Sequence, residues 1–178
     1  ENNHPLVSDI TGIGLIHNGT VKDAQWRAVD DEGKNPYLLG EYRAEVDTEA
    51  ILRLIDTMRY IPRKEDLRID PVEVESTPKD QWTENVDLNR AIRDASFNLS
   101  GGFSCAVLDP KEPNDVRLFR NKDRPCLLAY VPELEMIAFS SEEDFLDHAL
   151  VDFQYTWVLD YFGFKENKFP EWFCRPTA

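Results

Sequence analysis

Asp47-Thr48-Glu49-Ala50-Ile51-Leu52-Arg53-Leu54-Ile55-Asp56-Thr57-Met58-Arg59-Tyr60 is the most strongly patterned stretch of the sequence. Ile51, Leu52, Leu54, Ile55 and Met58 recur at helical spacing, which predicts an amphipathic helix lying on a core. Upstream, Thr11 to His17 reads as a short apolar strand carrying two glycines, and Asn18-Gly19 is expected to break it. Lys22 to Val29 then predicts a short helix, and Tyr42 to Val46 a strand.

Downstream, residues 61–83 hold Pro62, Pro71 and Pro78 among many charges, the composition of an irregular surface insertion. Asn85 to Asn98 predicts a second helix with Val86, Leu88, Ala91, Ile92 and Ala95 on its inner side. Four short strands follow, Phe103 to Leu108, Val116 to Phe119, Cys126 to Val131 and Met136 to Phe139, and they read as a meander. Ser140 and Glu143 stand at capping-box spacing before a helix carrying Phe145, Leu146 and Leu150. Six aromatics between Phe153 and Phe164 predict a docked terminal element rather than a loose arm. The order β-α-β-α, several strands, then α, predicts a layered α+β fold.

The chain of 178 residues is long enough to bury a core of its own. Thirty-four acidic against 20 basic residues give a formal net charge of −14. Such a surface repels phosphate backbones, so nucleic acid is not an expected partner. The acids are spread along the chain as a solvated surface rather than gathered in a tail. No apolar run approaches the roughly 20 residues that span a bilayer, and no membrane partner is expected. Cys105, Cys126 and Cys174 are odd in number and widely spaced, without a CxxC, which predicts neither a disulfide framework nor a metal site. A reducing compartment, the cytoplasm, is the expected location.

Four segments in order resemble the glutaminase domain of class II glutamine amidotransferases, members of the N-terminal nucleophile (Ntn) hydrolases. They are Asn3-His4-Pro5 running into His17-Asn18-Gly19; Asp47-Thr48-Glu49; Leu99-Ser100-Gly101-Gly102-Phe103 with Asp109; and Leu118-Phe119-Arg120, Arg124-Pro125 and Ser140-Ser141-Glu142. The resemblance covers residues 1 to about 150, with 151–178 as a C-terminal extension. It implies a partial αββα sandwich of the Ntn type, interrupted by the insertion at 61–83.

Family members use an N-terminal cysteine to attack the side-chain amide of glutamine, with its own α-amine as base. By the resemblance, Asn18 would donate its side chain and Gly19 its backbone N–H to the oxyanion. Asp47 would bind the α-ammonium of glutamine. Neither a metal nor a cofactor is implied. The first residue is Glu1, so the resemblance also implies a Cys-initiated segment or partner chain that supplies the nucleophile. The HNG turn and the DTE helix start are then expected to border one shallow cleft opening toward that segment. Each residue has a structural alternative: Asn-Gly is a common tight turn, and an Asp opening a helix is a common cap. His4 and His17 are expected to be structural. The functional alternative is a catalytically inactive relative that serves as a structural or assembly protein.

Overall fold

The computed structural model describes residues 4–22, 35, 37–40, 46–60, 82–84, 86–121, 123–160 and 163–164. The predicted helix at 22–29 and strand at 42–46 fall almost wholly outside them, as do residues 61–81 of the insertion and the chain after 164. The chain divides into two compact units, Glu1–Asn121 and Lys122–Ala178, each with its own antiparallel sheet.

In the first unit, β1 (Leu6–Val7), β2 (Gly14–Val21), β3 (Gly101–Leu108) and β4 (Val116–Arg120) form a sheet in sequence order. Two helices accompany it, α1 (Asp47–Tyr60) and α2 (Leu88–Phe97). Side chains alternate between sheet faces along a strand. Leu15 and Val21 from β2 and Phe103, Cys105 and Val107 from β3 therefore face the helices. They pack there with Ile51, Leu54, Ile55 and Met58 of α1 and Leu88, Ala91 and Ala95 of α2. On the opposite face Val7, Ile16, Leu108 and Val116 are exposed.

The α1 boundaries coincide with those read from the sequence, but its surroundings do not. Every residue from Thr48 to Arg59 is buried, the charged ones included. Ser8 and Thr11 donate their hydroxyls to Asp56 at 2.6 and 2.8 Å, which fastens the β1–β2 turn to the helix. Arg53 is paired with Asp9 and with Glu49. At the far end Arg59 bonds Glu84 and Asp109, and Lys111 bonds Glu84 at 2.6 Å. Buried charges persist where each finds a partner, and for Arg53, Asp56 and Arg59 partners come from segments distant in sequence.

Three expectations need correction. The strand does not break at Asn18-Gly19: β2 runs through both to Val21, in unbroken register with β3 (Asn18 opposite Ser104, Gly19 opposite Phe103). Gly19 takes φ +143°, and a Cβ there would collide with the Gly102 carbonyl oxygen, so glycine lets the strand continue rather than turn. The second correction concerns the meander, which is split. β3 and β4 belong to the first sheet, whereas β5 (Leu127–Val131) and β6 (Met136–Ser140) pair with each other in the sheet of the second unit. Thirdly, no capping box forms. Helix α3 (Glu143–Ala149) follows Glu142 as its N-terminal flank, and the Ser140 hydroxyl accepts from the Glu142 N–H as the strand ends.

In the second unit the aromatic segment docks as strand β7 (Thr156–Asp160), paired with β5, and β8 (Gly163–Phe164) pairs with β7. Tyr155 and Trp157 meet edge to face at 5.6 Å, beside a small core of Leu127, Ala129, Val131, Leu146 and Leu150. Cys105 and Cys126 are both buried, as small apolar packing residues commonly are.

Candidate functional site

The predicted residues gather around the C-terminal half of β2. Backbone N–H groups along an antiparallel strand point alternately to either side. Lys22 sends its N–H to Ser100 O, beyond the end of β3, at 3.0 Å. By the alternation His17, Gly19 and Val21 direct theirs to the opposite edge of β2. β1 pairs with that edge only at Gly14 and Leu15. Beyond Leu15 no strand among the described residues covers it.

Asp47 occupies part of this edge. Its Oδ2 accepts the Val21 N–H at 2.7 Å, so the first residue of α1 takes the position of a strand partner. Its Oδ1 lies 3.7 Å from Nδ1 of His17, whose side chain is 2% exposed. The same Nδ1 lies 3.1 Å from Oγ1 of Thr48. His17 and Val21 flank Gly19 on the helix-facing side of the strand, and so the Asp47 carboxylate is bracketed by the two neighbours of the glycine. The carboxylate itself is 19% exposed.

Asn18 stands apart from this cluster in one respect. Its side chain leaves β2 on the face away from α1, and it is exposed. In the same row across that face come Ser104 of β3 and Arg120 of β4. Asn18 lies on β2 and Asp47 against its edge, with the Gly19 N–H directed to the edge where Asp47 sits, but the two side chains approach that edge from different sides of the sheet. The tight β2–β3 approach continues at Gly101, whose φ is +113° and where a Cβ would meet the Thr20 carbonyl oxygen. Asn121 seals the other side of β3: its Oδ1 accepts the Phe103 N–H at 3.2 Å and its Nδ2 donates to Gly101 O.

The resemblance includes His17 and Thr48 in its motifs but assigned no role to either, nor to the Val21 N–H. Strand alternation through Leu15, His17, Gly19 and Val21 is the signal that would have found them, and it was hidden by the expected break at Asn18. Among the described residues no group of three or more His, Cys, Asp or Glu is disposed to hold a metal ion. No described helix is long and apolar enough to cross a membrane.

No protein-family model matches the sequence, and no curated protein matches it. Among solved structures, the chain is similar to glutamine phosphoribosylpyrophosphate (PRPP) amidotransferase from B. subtilis, solved as a complex with ADP and GMP. The TM-score is 0.56 at 17% sequence identity, with 96% of this chain and 32% of that chain covered. The likeness is one of fold, and the chain spans about a third of the length of that enzyme.

Proposed function

We propose that this chain carries the glutamine-binding and oxyanion-stabilising part of a class II glutamine amidotransferase, built on an αββα sandwich of the Ntn type. In this reading Asn18 donates its side-chain amide and Gly19 its N–H to the oxyanion formed from the glutamine amide, while Asp47 binds the α-ammonium. A Cys-initiated segment, in the same polypeptide or in a partner, supplies the nucleophile.

The observation that carries the reading is the edge of β2. A backbone N–H at Gly19, directed away from the β2–β3 ladder, and a carboxylate at Asp47 face the same edge, and a preorganised N–H is what a developing oxyanion needs. The fold likeness to a PRPP amidotransferase supports it independently of the motifs. Three residue steps along the strand take Asn18 to Val21, about 10 Å. That length suits a glutamine held at its ammonium end and its amide end.

The test is ammonia release from glutamine by the protein together with its Cys-initiated segment. Turnover that disappears when that cysteine becomes alanine, and falls steeply in Asn18→Ala, supports the reading. Glutamine hydrolysis that is indifferent to both changes, or absent from the complete assembly, overturns it.

A further inference from the structure

We infer that Ser8, Thr11 and Asp56 form a proton-operated latch: the ionised Asp56 carboxylate holds the β1–β2 turn against α1, and taking up a proton releases one of its two hydroxyl tethers. The inference is independent of the proposed function, since no residue of the latch is assigned to the glutamine site.

The direction of every bond in the turn is fixed by the count of donors and acceptors. The Ser8 hydroxyl accepts the N–H groups of Ile10 and Thr11 at 3.0 and 3.1 Å, which fills both of its lone pairs. Its one hydrogen therefore goes to Oδ2 of Asp56, 2.6 Å away. The Thr11 hydroxyl accepts the Ile13 N–H at 3.2 Å and donates to Oδ1 at 2.8 Å. Both oxygens of the carboxyl are thus acceptors, which suits the ionised acid. A proton on Oδ2 would face a serine oxygen with no lone pair left. A proton on Oδ1 can be accepted by Thr11 Oγ1 only if the threonine hydrogen turns away. Asp56 is 0% exposed, so solvent offers no other acceptor. Proton uptake therefore costs the turn a hydrogen bond. The Ser8 N–H to Ile13 O and Gly12 N–H to Ser8 O bonds, at 2.9 and 3.0 Å, are untouched, so the turn loosens without unravelling.

Opposed effects bring this exchange within reach of ordinary pH. Burial favours the neutral acid, the two hydroxyls and the Arg53 guanidinium favour the carboxylate, and the group titrates at about 6. From the turn itself Asp9 opposes ionisation, and it is paired with Arg53. Elsewhere on α1, Glu49 is paired with Arg53, and Arg59 with Glu84 and Asp109. The β3–β4 connection brings Pro110 to Gly12, beside that same Asp109. Segment 37–40 brings Gly40 against Arg53 and Ile10, and the Leu39 N–H to Thr57. α2 presents Leu88, Ala91 and Ala95 to the shared core, and its buried Asp94 is paired with Arg90. β1 pairs with β2 at Gly14 and Leu15, so the latch governs how firmly that strand is held.

The experiment follows the full chain by NMR from about pH 4.5 to about pH 7.5, either side of the Asp56 transition. The Asp56 carboxyl carbon and the amides of Ile10, Thr11 and Ile13 are expected to move with one midpoint, near 6. Exchange of the Ile13 amide, corrected for its intrinsic pH dependence, should quicken by about two- to tenfold below that midpoint, the loss of one hydrogen bond. Thr11→Val removes a tether that favours the carboxylate, so Asp56 should titrate at a higher pH than in the wild type. Asp56→Asn replaces one acceptor by a donor, as protonation does, and should leave exchange in the turn fast at every pH. A carboxyl titration that leaves the three amides unmoved overturns the inference. So does an amide transition that persists in Asp56→Asn, or an Asp56 midpoint unchanged in Thr11→Val.

Discussion

Val21 donates its backbone N–H to Asp47 Oδ2 at 2.7 Å, and this bond ties the edge of β2 to the first turn of α1. The carboxylate therefore serves structure and, in the proposed function, substrate, and the two roles separate by mutation. Asp47→Ala leaves the Val21 N–H without its acceptor and should cost about 1–3 kcal/mol of stability. Asp47→Asn should retain most of that stability, while glutamine binding is weakened in both variants. Because the ammonium does not change during the reaction, the loss should appear in KM with kcat largely kept. Denaturant titration and steady-state glutaminase kinetics check the two halves.

Asn18 should behave in the opposite way. Its side chain is exposed on the sheet face away from α1, so Asn18→Ala should shift unfolding by no more than about 0.5 kcal/mol. In the complete enzyme it should lower kcat by about 100- to 1000-fold, the usual effect of losing one oxyanion donor. A fall in Tm matching the fall in rate would show that the residue acts through the fold.

Gly19→Ala tests the strand path. At φ +143° with the Gly102 carbonyl in the way, a methyl group can be fitted only by moving β2 from β3. A cost of at least about 2–4 kcal/mol is expected, far above an ordinary surface substitution. Urea unfolding measures it, and a near-neutral result would mean that β2 does not run as described.

Asp56 yields a pH dependence of unusual sign. Burial pushes its carboxyl up to about 6, while hydrogen bonds from Ser8 and Thr11 and the charge of Arg53 pull it down. An acid whose folded pKa lies above its unfolded one contributes stability that is fully present below the unfolded value, near 3.8. That contribution is lost as pH rises through about 6. The shift is worth on the order of 3 kcal/mol. Asp56→Asn removes this dependence, so wild type should be at its best relative to the variant near about pH 4 and should lose ground to it by about pH 7. Paired denaturation curves across that range read the difference directly.

Asp109 should show the ordinary sign. Burial pushes its carboxyl up, but the Lys111 N–H and the Arg59 guanidinium hold it below the usual carboxylate range. Its stabilisation is present above the unfolded value and lost as pH falls through the lower, folded one. Asp109→Ala strips one partner from the buried Arg59, a loss expected to cost about 3–5 kcal/mol, and less where Glu84 compensates. Thermal unfolding at neutral pH checks it.

Local pattern explains how much could be read in advance. The apolar face of Asp47–Tyr60 determined α1 to the residue, since Ile51, Leu54, Ile55 and Met58 have no other way to share a core. Helix α2 was legible apart from its start. Asp87 accepts the Arg90 N–H at 2.8 Å and delays the helix to Leu88, where the sequence reading had begun it at Asn85. The capping-box spacing at Ser140 misled because a hydroxyl at a strand end has a nearer donor, the Glu142 N–H.

Among the described residues, the sequence by itself determined most of the helical and extended segments, which side chains of each are apolar, and which residues resemble an amidotransferase site. Those properties depend on neighbours within a few positions along the chain. Tertiary structure alone decided that β2 passes through Asn18-Gly19, because the glycine conformation is imposed by the close approach of β3, more than 80 residues away in sequence. It alone divided four consecutive strands between two sheets, and set the helix-bound Asp47 against Val21 and His17. It also buried Glu49, Arg53, Asp56 and Arg59, which a sequence reader places in water. Their partners Asp9, Ser8, Thr11, Glu84 and Asp109 come mostly from other segments, and a charge leaves water only where the fold has already assembled what will pair with it.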